Sequence, residues 1–257
     1  MTSSSLKIAF HGQNATNFRQ NFEALIGADH QIVDLSDGLN LPGEAAHFET
    51  ADVIVGIKLD VSMPSPKKLR LYHAPSAGTD MIDVSLLPPA SALCNCHGHE
   101  NAIAEYVMAA LLLRHVPLAQ ADADLRQGKW TYFAGRPAAL RTELGQQTIG
   151  LLGFGHIAQT VALRAKAFGM RVHVANRSAV ASPQVDLAFG LNDLPAFMGS
   201  VDAVVVSLPL TPETTGIVNR AALQAMRPDA VMINVGRGPV VEEQALFEAL
   251  STRQMGG

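Results

Sequence analysis

Short apolar segments alternate with helical stretches along most of this chain of 257 residues. Short apolar runs bounded by turn residues are typical of buried strands, and strands separated by helices are typical of βα units in a parallel sheet. We predict strands within 7–12, 31–35, 52–57, 69–75, 92–96, 148–155, 171–178, 202–209 and 230–237. The pattern therefore predicts an α/β protein.

A long helical stretch separates the two series of strands. It runs from about Asn101 to Arg114, is interrupted at Pro117 and resumes to about Gln127, and a shorter stretch is expected around Phe18 to Ile26. The long stretch carries apolar residues at core-facing spacing, namely Ala104, Val107, Met108, Leu111 and Leu112. We predict two domains, residues 1–99 and 100–257.

The composition narrows the classes of function. Apolar residues make up 48%, charged residues 16%, and the net charge is −4, which is typical of a globular protein with no general attraction to nucleic acid. The N-terminus lacks the pattern of a signal peptide, and no apolar run reaches about 18 residues. We expect a cytoplasmic protein without a membrane or nucleic-acid partner.

A glycine turn follows the strand near residue 150. Gly153-Phe154-Gly155-His156-Ile157-Ala158 matches the pattern G-x-G-x-x-[GA], and a helix is expected from Gln159 to Phe168. In such a turn the first glycine permits the tight bend, the second lets the backbone approach a pyrophosphate, and the small third residue lets the helix pack on the strand. The context indicates a dinucleotide site.

The end of the next strand bears on which dinucleotide is bound. An NAD site usually has a carboxylate there, which accepts hydrogen bonds from the ribose hydroxyls. This chain has Asn176-Arg177-Ser178 instead, and Arg177 with Ser178 could bind a 2′-phosphate. We favour NADP over NAD, with a solvated surface arginine as the alternative.

An arginine follows the strand at 230–234. Ligands of open α/β sheets bind beyond the carboxyl ends of the strands, and a guanidinium placed there can clasp a carboxylate and polarise a neighbouring carbonyl. Arg237 lies in such a place, although an arginine after a strand is more often a surface charge.

Five segments together resemble the D-isomer-specific 2-hydroxyacid dehydrogenase family, which includes phosphoglycerate and glyoxylate/hydroxypyruvate reductases. They occur in the family's order and cover nearly the whole chain. The segments are 77–83 (AGTDMID), 103–106 (IAEY), 144–172 with the glycine turn, 208–214 (LPLTPET) and 233–238 (INVGRG).

The resemblance implies a flavodoxin-like substrate domain, a Rossmann-type doubly wound domain, and reduction of a small 2-keto acid, or oxidation of a 2-hydroxy acid, with NADP or NAD. It also implies a homodimer formed through the long helix and the loop after it. Arg237 and the backbone at Ala77 and Gly78 would bind the substrate carboxylate. The implied cofactor contacts are Gly153, Gly155, His156, Ile157, Asn176, Arg177, Ser178, Leu208, Pro209, Thr214, Val235 and Gly236.

The chain departs from the family's pattern in two places. The family's general acid, a histidine paired with a glutamate, follows the arginine, but the 20 residues after Arg237 contain no histidine. We therefore expect a fragment or a truncated homologue, with a Rossmann domain incomplete at its C-terminus, and hold open a non-catalytic NAD(P)-binding module or an inactive fragment. His99 stands where the family often has an asparagine. It could contact substrate or partly replace the missing acid, but we favour a histidine that caps or flanks the long helix.

Five neighbouring residues have metal-binding side chains, but we expect no metal site here; they are Cys94, Cys96, His97, His99 and Glu100. Cys94 and Cys96 alternate along a predicted strand of the sheet, and no second pair of ligands occurs elsewhere. Free cysteines are commonly small buried residues.

Overall fold

The computed structural model describes residues 5–27, 30–133 and 143–257. The chain divides into two compact units, Met1–Gly98 and His99–Gly257. The sequence predicts this boundary between residues 99 and 100.

The first unit contains a parallel sheet with the order β2-β1-β3-β4-β5 among its described residues. This is the flavodoxin-like order, in which the direction of strand addition reverses between β1 and β3. The strands are β1 (Lys7–His11), β2 (Gln31–Leu35), β3 (Val53–Val55), β4 (Leu71–His73) and β5 (Ala92–Cys94). The helices are α1 (Gly12–Thr16), α2 (Phe22–Ile26) and α3 (Glu44–Glu49).

Alternation along β1 explains how this sheet packs on both faces. Successive side chains of a strand point to opposite sides. Ile8 and Phe10 therefore join a cluster with Ala15 and Val55, while Ala9 joins the larger cluster on the other face. The fully buried members of that larger cluster include Phe48, Ile54, Leu59 and Tyr72.

The second unit also contains a parallel sheet, with the order β10-β9-β6-β7-β8 among its described residues. Counted within the unit this is the Rossmann order, which reverses between β6 and β9. The strands are β6 (Thr148–Leu152), β7 (Arg171–Asn176), β8 (Leu187–Gly190), β9 (Ala203–Val206) and β10 (Val231–Asn234). The helices are α4 (Glu100–His115), α5 (Leu118–Arg126), α6 (His156–Ala167), α7 (Leu194–Gly199), α8 (Arg220–Gln224) and α9 (Glu243–Ser251).

Helices cover both faces of this sheet, which explains why β6 and β9 are buried along their whole length. On one face, the apolar stripes of α4 and α6 pack together over the sheet through Val107, Leu111, Val161 and Ala165. On the other face lie α7, α8 and α9, and Gly150 packs so tightly there that a Cβ would lie 2.8 Å from the Phe197 ring. The predicted two-domain α/β fold is confirmed.

Several local predictions are wrong. Helix α6 begins at His156 rather than at Gln159, because the chain turns into the helix directly after Gly155. The stretch predicted from Phe18 is helical only from Phe22, since Asn21 adopts a left-handed conformation (φ 63°). Cys96 lies beyond the end of β5, and Cys94 is exposed rather than buried. Helices α1 and α3 and strand β8 were not predicted, because each is short and lacks a sustained apolar period.

Within the described residues, no single helix is long and apolar enough to cross a membrane. The pair α4 and α5, bent by 51°, reaches the required length and composition together, as core helices also do.

Candidate functional site

The glycine turn begins with a residue whose conformation requires glycine. Gly153 follows β6 with a φ of 90°, and its N–H donates a hydrogen bond to the Ala175 carbonyl at 2.8 Å. A Cβ at this position would lie 3.1 Å from the Leu208 side chain and 3.3 Å from the Ser207 hydroxyl. Gly153 therefore holds the end of β6 against the segment that follows β9.

Gly155 serves a different purpose from Gly153. Its backbone is extended, it occupies the N-cap position of the 12-residue helix α6, and no heavy atom lies within 4 Å of where its Cβ would be. Open space therefore faces the first turn of the helix, where N–H groups without an intrahelical partner attract negative charge. This combination fits a dinucleotide pyrophosphate.

His156 and Ile157 form the start of that first turn. His156 is largely exposed, and its Nδ1 lies 3.9 Å from Oε1 of Glu100 on α4. Ala158 is fully buried and packs the helix on the sheet, as the small third residue of the motif should.

The end of β7 presents polar side chains without a carboxylate. The Asn176 side-chain amide donates to the Ser178 carbonyl at 3.0 Å, and this bond bends the chain so that Arg177 and Ser178 are exposed. The positive charge of Arg177 acts on the carboxylate of Glu213. The Thr211 hydroxyl is the main cause that lowers the pKa of Glu213 below its ordinary value, and the charge of Arg177 acts in the same direction.

Thr214 organises the loop that follows β9. Its buried hydroxyl donates to the Pro209 carbonyl at 2.6 Å and accepts from the Thr211 N–H at 2.8 Å. Leu208 is buried beneath the same loop and contacts Gly153. Of the sequence-predicted residues of this loop, Pro209 and Thr214 are joined by a hydrogen bond, and Leu208 packs against the glycine turn.

The loop after β10 approaches Leu208 from the other side. A Cβ at Gly236 would lie 2.8 Å from the Leu208 carbonyl oxygen, so a side chain at this position is excluded. The Val235 N–H continues the ladder by donating to the Val206 carbonyl at 3.0 Å. The glycine turn, the β9 loop and the β10 loop therefore converge at the carboxyl ends of β6, β9 and β10.

Asn234, which is not among the site residues predicted from the sequence, shapes the loop that carries Arg237. Its side-chain oxygen accepts from the Gly236 N–H at 3.0 Å, and its amide donates to the Arg237 carbonyl at 3.1 Å. An asparagine at the end of a strand, two residues before a glycine, is typical of such a turn and was available as a signal. Arg237 itself is half-buried.

The first unit holds the two predicted backbone donors. Ala77 and Gly78 follow β4, and their carbonyls accept hydrogen bonds from the Asn95 side chain at 2.9 Å and the Ser76 hydroxyl at 2.7 Å. Their own N–H groups make no hydrogen bond to the residues that the structure describes. These donors are therefore available for an anion.

His99 belongs to the second unit, where it occupies the N-cap position of α4. Its side chain makes no capping hydrogen bond, so His99 flanks the helix without capping it. Its predicted contact with substrate stays a prediction.

Residues 107–257, more than half of the chain, match the family described as D-isomer specific 2-hydroxyacid dehydrogenase, NAD binding domain. The chain belongs to this family. The family resemblance predicted from the sequence is thereby confirmed.

Curated relatives include D-3-phosphoglycerate dehydrogenase of Rattus norvegicus, 30% identical over 236 residues, which are 90% of this chain and 42% of that protein. Glyoxylate reductase of Thermococcus gammatolerans is 35% identical over 160 residues, 61% of this chain and 48% of that protein. The chain thus spans somewhat less than half the length of these curated relatives.

Solved structures share the fold. An acyclic imino acid reductase in complex with NADPH and D-Arg has a TM-score of 0.79 at 26% identity, covering 98% of this chain and 81% of that one. D-lactate dehydrogenase from Aquifex aeolicus, complexed with NAD and lactic acid, has a TM-score of 0.79 at 22% identity, with 97% and 75% covered. The family's nicotinamide cofactor fits the turn of this chain, because Gly155 leaves the start of α6 accessible.

We predict that Gly155→Ala mainly weakens NADPH binding, whereas Gly150→Ala mainly lowers the free energy of unfolding. Gly155→Ala places a methyl group in open space, so the free energy of unfolding should change by less than about 1 kcal/mol, while NADPH affinity falls by about tenfold or more. Gly150→Ala drives a methyl group into Phe197 and should cost about 1–3 kcal/mol of stability. Urea unfolding and quenching of NADPH fluorescence measure the two effects. Equal NADPH affinity of wild type and Gly155→Ala would contradict the assignment.

Proposed function

We propose that this protein is an NAD(P)-dependent oxidoreductase that transfers a hydride between the nicotinamide and a small 2-keto or 2-hydroxy acid. One observation carries the proposal. Backbone segments at Gly153, Leu208 and Gly236 converge at the switch point of the Rossmann sheet, and Arg237 directly follows that convergence. Such a switch point is where open α/β sheets bind their ligands.

Arg237 is the residue of this chain that we assign to the substrate. Its planar guanidinium can hold a carboxylate through two parallel hydrogen bonds, which orients the neighbouring carbonyl carbon. Its positive charge then stabilises the negative charge that develops on the carbonyl oxygen during reduction. When bound, the nicotinamide supplies or accepts the hydride.

Asn234 and Gly236 serve this arrangement without contacting the reacting atoms. The two hydrogen bonds of Asn234 hold the backbone at Gly236 and Arg237, so the position of Arg237 is set before substrate binds. Gly236 keeps the loop in contact with the β9 segment and leaves no side chain beside the nicotinamide. The first unit, taken by itself, has N–H donors at Ala77 and Gly78 that can bind a carboxylate.

The decisive experiment assays the chain for oxidation of NADPH with glyoxylate or hydroxypyruvate, followed by absorbance. We expect turnover by wild type and a loss of about 100-fold in kcat/KM for Arg237→Ala, because a charge-stabilising donor is removed. NADPH affinity should stay unchanged. Arg220→Ala is the matched control, since Arg220 lies in the same unit and pairs with Glu248. Equal kcat/KM of wild type and Arg237→Ala would refute the assigned role.

A second candidate function is NAD(P) binding without turnover. The glycine turn supports it, because Gly155 leaves the start of α6 open to a dinucleotide whether or not a reaction follows. The same assay separates the two candidates. Quenching of NADPH fluorescence with no oxidation above the uncatalysed rate supports the second and contradicts the first.

We infer a preference for NADP over NAD from the end of β7. Arg177 and Ser178 are exposed, and no carboxylate at 176–178 repels a 2′-phosphate. Similar solved structures include complexes with NADPH and with NAD, so the preference of this chain rests on its own residues.

Arg177→Ala should weaken NADPH binding about tenfold, because a charge-assisted hydrogen bond to phosphate is lost. NADH binding should change little. Arg171→Ala removes the same charge at the opposite end of β7 and serves as the control. Fluorescence titrations with both cofactors measure the effect. The inferred preference would be wrong if wild type bound NADH more tightly than NADPH and Arg177→Ala left the NADPH affinity unchanged.

We also propose a homodimer, as the family resemblance implies. Large apolar side chains after α4 are exposed, including Leu118 (62%), Leu125 (62%) and Trp130 (73%). Leu125 and Trp130, together with Tyr132, line a cavity of about 320 Å³. The loop after α5 continues into residues 134–142, which lie outside the described residues.

Sedimentation should give twice the mass of the chain for wild type and the monomer mass for Leu125→Asp, because a charge would be buried in the interface. Leu163→Asp, at an exposed position on α6, is the control and should stay dimeric. A monomeric wild type at micromolar concentration would refute the proposal.

A further inference from the structure

The loop that contains Ala77 and Gly78 is held by an extension of the β4–β5 ladder. Beyond the ends of both strands, the Ala74 N–H donates to the Cys94 carbonyl at 2.7 Å, and the Cys96 N–H donates to the Ser76 carbonyl at 3.1 Å. The backbone on both sides of Asn95 is therefore in register with the loop. This register places the Asn95 side chain within hydrogen-bonding distance of the Ala77–Gly78 peptide.

The Asn95 side-chain amide donates to the Ala77 carbonyl at 2.9 Å. That carbonyl and the Gly78 N–H belong to one planar trans peptide, in which C=O and N–H point in opposite directions. A hydrogen bond that fixes the carbonyl therefore also fixes the direction of the Gly78 N–H. The Gly78 donor points away from Asn95.

The Gly78–Thr79 peptide is also fixed by a side-chain hydrogen bond to its carbonyl. The Ser76 hydroxyl donates to the Gly78 carbonyl at 2.7 Å, which sets the direction of the Thr79 N–H. Neither the Gly78 N–H nor the Thr79 N–H donates to a residue in the described parts of the chain. Among the described residues, two adjacent N–H donors with fixed directions are thus left available to an anion.

We propose that Asn95 is a positioning residue for the substrate carboxylate. It does not touch the substrate. It orients the Ala77–Gly78 peptide so that the Gly78 N–H meets a carboxylate oxygen without reorganisation. This inference rests on the proposed function, since it adds a positioning residue to the carboxylate-binding loop of that function.

The position of Asn95 in the loop explains why an asparagine suits it. Both Ala77 and Asn95 are exposed, so water competes for the Ala77 carbonyl and leaves the peptide free to rotate when the amide is absent. A carboxylate at position 95 could not donate to the carbonyl, and its charge would repel the anion. Binding should therefore weaken in the order wild type, Asn95→Ala, Asn95→Asp.

The test titrates oxalate, a small dicarboxylate, into the ¹⁵N-labelled chain and follows the Gly78 amide resonance. We expect the Gly78 resonance of wild type to shift with oxalate, and Asn95→Ala to weaken oxalate binding about five- to tenfold. Ser91→Ala is the matched control. Its hydroxyl donates to the Pro88 carbonyl at 2.7 Å just before β5, so this variant loses a similar hydrogen bond away from the loop.

Unfolding and cofactor binding separate a positioning role from a structural one. Asn95→Ala and Ser91→Ala should unfold at the same urea concentration. Asn95→Ala should bind NADPH as tightly as wild type does. Oxalate affinity of Asn95→Ala equal to that of wild type would overturn the proposal, as would a Gly78 resonance that does not respond to oxalate in wild type. Failure of wild type to quench NADPH fluorescence would instead contradict the proposed function, which makes the two failures distinguishable.

Discussion

Close contact between backbone segments is the constraint on which the Rossmann unit depends. The chain leaves β6 at Gly153 and β10 at Gly236, and both glycines pack on Leu208, one against its side chain and one against its carbonyl. A Cβ at either position would approach Leu208 to 3.1 Å or less. The three loops can meet only because two of them carry no side chain there, and this meeting forms the floor of the proposed cofactor site.

Polar side chains fix the orientation of peptide groups that these close contacts do not determine. Thr214 closes the β9 loop, Asn234 closes the β10 loop, and Asn95 holds the Ala77 carbonyl in the first unit. In each case the side chain bonds to a backbone carbonyl and thereby sets the orientation of a peptide group. Backbone N–H donors oriented in advance bind anions without the entropic cost of ordering them afterwards, which suits both a pyrophosphate and a carboxylate.

Family membership and the proposed chemistry rest on different observations. The match of residues 107–257 shows the family, and the two parallel sheets show the fold. The activity is inferred from the convergence at the switch point and from Arg237 beside it. The choice between NADP and NAD depends on a few residues at the end of β7, where neighbouring charges such as Glu213 also act on Arg177.

The sequence by itself determined the α/β class and the family, and it predicted most of the candidate site, because apolar periods indicate buried strands and the motif glycines indicate backbone geometry. Gly155 and Arg237 could be assigned from their neighbours in sequence alone. The tertiary structure decided where short elements lie, since β8 and α3 depend on packing partners distant in sequence. It also revealed Asn95, whose partner Ala77 is 18 residues away. Such a hydrogen bond leaves no trace in local periodicity, because only strand pairing brings its two ends together.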